Sequence, residues 1–338
     1  MLLLATKAFQ PETLAVRGGR CIVPRMRTLI PAVALSALVL GVACDARASS
    51  LGDAGICDAL ASRDGSARLA VLSAFPAELR PLAEALEMRQ RVEIEGHPFY
   101  TGELAGVRVV ISQTNIGMIH SAQTTELVLA NFDVAAIVFS GVAGSPHRIG
   151  DVTVPLQFRD TAAGLTYNAE PLMIALARKL KTVKLERCTN VPASGQHVCL
   201  RFRPRIFVGG LGESGDPFGG NPQPCQPDDN PVFGCDIGPL STVAPQAKPV
   251  PDPVAQDMET AAMARVAQAH GIPWVAFRAV SDGPGDPLGL PGFPAQFFAY
   301  YNLAAHNAAE GTMKFLRRVA NVAGRRGRPP LCRLTPGG

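Results

Sequence analysis

The run Val275-Ala276-Phe277-Arg278-Ala279-Val280-Ser281-Asp282 constrains this chain more than any other stretch. It has the length and near-continuous apolar character of a strand buried on both faces, and it ends on an acid. One short helix earlier, Asp257-Met258-Glu259-Thr260-Ala261-Ala262 opens that helix with a second acid. Buried strands alternating with helices belong to α/β sheets, whose ligands sit beyond the carboxyl ends of the strands. Glu259 and Asp282 are therefore candidate site carboxylates. Arg278 either braces the loop that carries Asp282 or forms a structural salt bridge.

Three more stretches share the pattern of strand, turn and helix. Arg68 to Phe75 reads as a short apolar strand, and Pro76 to Leu86 then turns helical with its prolines near the start. Glu78 falls at that junction. Phe99 to Gln113 reads as a hairpin turning at Ala105-Gly106. It leads into Thr114-Asn115-Ile116-Gly117-Met118 and a helix from about Ile119 to Asn131. Asn115 is among the residue types that tolerate a left-handed backbone. Ala135 to Ser145 is a buried strand ending in Gly141-Val142-Ala143-Gly144, followed by Gly150-Asp151-Val152-Thr153-Val154. That glycine turn lacks the dinucleotide-binding fingerprint. Residues 168–183 are expected to be helical, 188–199 a hairpin or loop, Arg205 to Gly210 a strand, and 294–321 a long helix.

In this order, these motifs resemble the nucleoside phosphorylase superfamily. They are most similar to its methylthioadenosine/S-adenosylhomocysteine nucleosidases. Ala74-Phe75-Pro76-Ala77-Glu78 stands where that family has Ala-Met-x-x-Glu. Ser214-Gly215-Asp216-Pro217-Phe218 matches its Ser-Gly-Asp-x-Phe turn, Met258-Glu259 its Met-Glu pair, and Ser281-Asp282 its Ser-Asp acid. The resemblance covers about residues 68–320. It implies a single-domain, three-layer αβα fold around a central mixed sheet.

It also implies roles. Asp282 donates a proton to N7 of a purine, and Glu78 orients or deprotonates water. Glu259 holds the ribose hydroxyls with the help of the Met258 backbone. Thr114 holds the water, Ala143 and Gly144 line the site, and Phe218 stacks on the base. An aromatic near the start of the last helix closes over the ligand, with Phe298 chosen from four candidates. A protonated acid, an oxocarbenium-like sugar and an activated water are what breaking a glycosidic bond requires. The expected reaction is hydrolysis of a purine nucleoside, methylthioadenosine-like or simple, with no cofactor and no metal. Two alternatives remain: a phosphate-dependent phosphorylase and a non-catalytic nucleoside-binding or uptake-associated protein. A phosphorylase needs a cationic clamp. Arg80 lies near Glu78 in sequence, but Gln113-Thr114-Asn115 offers no cation. Members of the superfamily assemble, so a homodimer or larger homo-oligomer is expected.

Composition matters chiefly at the ends of the chain. The formal charge is +4, and residues 1–48 supply it with six basic against two acidic residues. Residues 49–338 are formally neutral, which gives no electrostatic case for nucleic acid. Met26-Arg27, the apolar run Leu29 to Ala43 and Ala46-Arg47-Ala48 together describe a secretory signal peptide cleaved near Ala48. Residues 1–25 then form a misannotated upstream extension. The alternatives are a lipoprotein at Cys44 or a retained membrane anchor, and a membrane enters only with those. The expected location is secreted or periplasmic.

Residues 49–67 are a lead-in, 68–321 the domain, 219–254 a Pro-, Gly- and Cys-rich insertion, and 322–338 a basic tail. Six cysteines follow the cleavage point, and an even count in an exported chain suggests disulfides. Sequence proximity favours Cys188–Cys199 and Cys225–Cys235, leaving Cys57–Cys332. The six histidines show no ligand spacing.

Overall fold

In the computed structural model, residues 67–180, 183–217, 223–226, 233–236 and 253–323 are described, all within one compact unit, Ala48–Gly338. The segments up to residue 66 and after residue 323 lie outside them, with the cleavage site, Cys57 and Cys332. So does Phe218.

The centre of the molecule is three parallel strands: β1 (Arg68–Ser73), β5 (Val134–Gly144) and β14 (Trp274–Asp282). β1 lies on one side of β5 and β14 on the other. All three are buried almost from end to end, as their apolar runs require. Their shared direction brings their carboxyl ends together, with Asp282 beside Gly144.

A meander extends the sheet beyond β1. β2 (Glu87–Ile94), β3 (His97–Leu104) and β4 (Val107–Gln113) run antiparallel to one another, and β4 pairs parallel with β1. Ala105 and Gly106, with φ of 54° and 83°, make the two-residue turn between β3 and β4. β2 carries no buried residue, and apolar residues alternate only at its end, in Arg91-Val92-Glu93-Ile94, so its strand signal in the sequence is short.

On the far side lie β6 (Val152–Val154), β7 (Gln157–Asp160), β8 (Thr166–Asn168), β11 (Ile206–Val208), β12 (Leu211–Ser214) and β13 (Ala255–Asp257). They complete a mixed sheet of twelve strands among the described residues. A separate hairpin joins β9 (Cys188–Asn190) to β10 (His197–Cys199), closed by the Cys188–Cys199 disulfide.

Helices flank the sheet: α1 (Pro76–Glu84), α2 (Met118–Asn131), α3 (Pro171–Ala177), α4 (Thr260–Ala269) and α5 (Ala295–Ala323). α5 packs on β14, β5 and α1, and α2 packs on α4. The helix expected over 168–183 is shorter. Pro171 suits only its first turn, and Glu170 caps it by accepting from Leu172 N at 3.5 Å. A second small core of Ile149, Val191, Val198, Leu200, Tyr300 and Leu303 lies under the β9–β10 hairpin.

Candidate active site

A cavity of about 320 Å³ opens at the carboxyl ends of β1, β5 and β14. Glu78, Glu259 and Asp282 line it, with Ala143, Gly144 and Met258 between them and Phe75, Ile116, Phe293 and Phe297 forming an apolar wall.

Glu78 enters at the start of α1, directly after β1. Both of its oxygens are held by backbone: Oε2 accepts from Ala74 N at 2.6 Å and Oε1 from Val142 N at 2.7 Å. Burial pushes this carboxyl up to about 8, against the pull of Arg278. Glu259 precedes α4, where it accepts from Gly117 N at 3.1 Å and Met258 N at 3.3 Å. Burial raises it to about 7, with Arg278 lowering it and Asp257 adding to the rise. Asp282 closes β14. Burial raises its pKa too, and the Ser281 hydroxyl, donating to Oδ1 at 2.7 Å, offsets part of that. All three acids thus favour their protonated forms more than a surface carboxyl does.

Arg278 does not reach toward Asp282; it points to the Glu259 side of the site. Its Nε meets Asp257 Oδ2 at 2.8 Å, and its Nη2 meets Glu259 Oε2 at 3.3 Å. Nη2 also donates to Thr260 Oγ1 at 2.8 Å, and Nη1 donates to Val142 O at 3.3 Å. Glu78 Oε1 lies 3.9 Å away. Burial lowers the pKa of this guanidinium, but Asp257, Glu259 and Glu78 more than offset it, so it stays charged. Asp257 ties the group to its surroundings. Its Oδ1 accepts from Ser214 Oγ at 2.5 Å and from the Glu259 and Thr260 amides at 3.1 Å. The fully buried cation is thus consumed by the protein's own acids. An arginine inside an otherwise apolar strand is the sequence signal for such a knot, because a buried charge must find partners.

The glycine turn is a steric necessity. A Cβ on Gly144 would stand 2.6 Å from Asp282 Oδ2, and one on Gly141 would stand 2.6 Å from Glu78 Oε1 and press on Arg278. Gly117, with φ of 105°, lets the turn after β4 aim its amide at Glu259.

Two expected site residues stand elsewhere. Thr114 is buried off the cavity, and its hydroxyl donates to Asn115 O at 2.9 Å; the side chain facing the cavity from this turn is Ile116. Phe298 packs on Phe233 and Phe297, and the lining aromatics of that segment are Phe297 and Phe293. Helical phase accounts for the difference, since adjacent residues of a helix face about 100° apart. Asp257, Phe75 and Ile116 join the site without having been expected there.

An acid-lined cavity at the carboxyl ends of parallel strands in a mixed sheet stands where α/β folds place their sites. The phosphorylase superfamily profile matches residues 68–197 and 247–318, and the chain belongs to that superfamily. An uncharacterized protein of Mycobacterium tuberculosis is 32% identical over 201 residues, spanning 52% of this chain and 80% of that one. A 5'-methylthioadenosine/S-adenosylhomocysteine nucleosidase of Tolumonas auensis is 25% identical over 256 residues, 75% of this chain and 100% of its own length. The crystal structure of the corresponding nucleosidase of Colwellia psychrerythraea, in complex with adenine, superposes with a TM-score of 0.55 at 23% identity, covering 75% of this chain and 96% of that one.

Proposed function

We propose that this protein is an exported purine nucleosidase, which uses water to cleave the N-glycosidic bond of a methylthioadenosine-like or simple purine nucleoside. One observation carries the reading: four carboxylates, Glu78, Asp257, Glu259 and Asp282, line one cavity whose only arginine neighbour, among the described residues, is already bound to protein acids. Phosphate would need a free cationic clamp there, and the cavity's described lining offers none. The nucleosidase relatives support the same chemistry.

In this reading the protonated form of Asp282, which burial favours, gives its proton to N7 as the bond from C1' to the base breaks. The electron pair leaves with the base, and positive charge grows on the sugar ring. Water adds to C1' and loses a proton to the carboxylate form of Glu78, whose raised pKa makes it a stronger base than a surface carboxylate. Exchange with solvent returns both acids to their starting states. Glu259 accepts hydrogen bonds from the ribose hydroxyls. The two disulfides among the described residues fit an oxidising compartment. A homodimer or larger homo-oligomer completes the proposal, to be read by light scattering.

The test is chromatography of free base from the full chain incubated with purine nucleosides, with and without phosphate. Release without phosphate, cut about 10²–10⁴-fold by Asp282→Asn, supports the proposal. Release only with phosphate makes the protein a phosphorylase. Binding without release leaves a nucleoside-binding protein.

A further inference from the structure

The segment 219–254 belongs mostly to the stretch that the superfamily profile leaves unmatched, between residues 197 and 247. Two short pieces of it, 223–226 and 233–236, are described, and they form a tongue. The Cys225–Cys235 disulfide joins them. Backbone bonds from Gln226 N to Gly234 O (2.7 Å) and from Asp236 N to Pro224 O (3.0 Å) run alongside it.

This tongue docks on the cavity wall from behind, at two places. Its first strand meets the turn after β4. Gln223 pairs with Ile116, Cys225 N donates to Asn115 Oδ1 at 3.3 Å, and Gln113 Nε2 donates to Gln226 O at 3.2 Å. Its second strand plants Phe233 among aromatic rings. The Phe233 centroid is 5.3 Å from Phe75 and 5.5 Å from Phe297. Three apolar wall residues, Phe75, Ile116 and Phe297, are therefore each backed by the tongue. Ile116 adjoins Gly117, whose amide holds Glu259, so this wall borders the part of the cavity assigned above to the sugar.

We infer that Phe233, pinned by the Cys225–Cys235 disulfide, is a specificity-positioning residue: it sets the apolar wall that selects purine nucleosides carrying a compact apolar group on the exocyclic carbon of the sugar. The inference rests on the nucleosidase reading for the placement of the sugar. Phe233 does not line the cavity itself. It acts through Phe75 and Phe297, whose rings would drift once the space behind them emptied. A 5'-hydroxyl gains nothing from such a wall, whereas a methylthio group gains its burial there. Hydrophobic pockets discriminate one such small apolar group by about 10–200-fold.

The experiment compares 5'-methylthioadenosine with adenosine on the full chain, as wild type, Phe233→Ala, Phe233→Leu and the double variant Cys225→Ala/Cys235→Ala. KM and kcat come from base release, and Kd for the two nucleosides from calorimetry. The expected result is a loss of the methylthioadenosine preference of about tenfold or more in Phe233→Ala, carried by KM and Kd. Phe233→Leu restores part of it, and the cysteine double variant behaves like Phe233→Ala. Equal changes for both nucleosides, or a fall confined to kcat, overturn the inference. A wild type that binds both nucleosides but releases no base defeats the nucleosidase reading alone, and the Kd ratios still decide the role of Phe233. If Phe233→Ala does not fold, Phe233→Leu and the cysteine variant give the same decision.

Discussion

Each oxygen of Glu78 accepts one backbone amide inside the fold, and burial makes the protonation of this carboxyl visible in stability. Its carboxyl is raised from an ordinary 4.5 to about 8 by burial. The folded state therefore holds this proton more tightly than the unfolded chain does. The resulting stabilisation is complete below about pH 4.5 and is lost as the pH rises toward 8. Thermal melts of wild type and Glu78→Gln across that window should diverge, with the wild type losing Tm relative to the variant as pH increases. Parallel curves would mean that Glu78 keeps its ordinary pKa. Gly144 provides a second test at this scale. Gly144→Ala places a methyl where Asp282 Oδ2 stands, so the acid must move. A displacement of about 1 Å costs on the order of 10²-fold in rate, so kcat should fall by about that factor while the melting curve changes little. Asp282 and Glu259 were legible in the sequence because each follows an apolar strand or opens a helix in a recognisable motif. Thr114 and Phe298 were placed in the right segments but not on the cavity-facing side. A motif fixes the segment, but the side-chain direction depends on where the turn and the helix begin.

The β14–α4 unit depends on one cation. Arg278 is fully buried and links Asp257, Glu259 and Thr260, the residues that start α4. Arg278→Leu leaves those acids buried without a partner and should cost about 3–5 kcal/mol, read as a lower urea midpoint. Arg278→Lys keeps the charge but lacks the planar fork, so its midpoint should fall between the two. The β9–β10 hairpin contrasts with the tongue. Cys188–Cys199 closes it over the small core of Ile149, Leu200 and Tyr300. Its residues do not line the cavity. Cys188→Ala/Cys199→Ala should lower stability by roughly 2–3 kcal/mol and leave base release unchanged. Altered release would tie that hairpin to the site. Among the elements, the buried parallel strands were plain from their apolar runs, as was the turn at Ala105-Gly106. The strand Glu87–Ile94 was not, because it is exposed along nearly its whole length and holds its shape through backbone pairing with β3.

At the scale of the whole molecule, the order of motifs along the chain was enough to give the sheet and its helices, because short strands and glycine turns leave few ways to connect parallel neighbours. The wiring of the far strands was not readable. β13 pairs parallel with β12 but antiparallel with β5, through only a few residues, and three-residue strands leave almost no periodicity to read. The proposed export belongs to this scale as well. Expressed in a bacterium from Met26, the chain should yield a mature protein beginning at Ser49, as read by N-terminal sequencing; an intact Met26 start would favour a retained anchor. The two cystines also bear on the order in which the protein matures. Each joins cysteines only ten or eleven residues apart, on backbone segments that already pair with each other. Closing so short a loop takes little chain entropy, and the folded backbone presents each thiol to its partner. Oxidation can therefore follow folding instead of guiding it: the sheet assembles first, and the sulfurs then seal what it has already brought together.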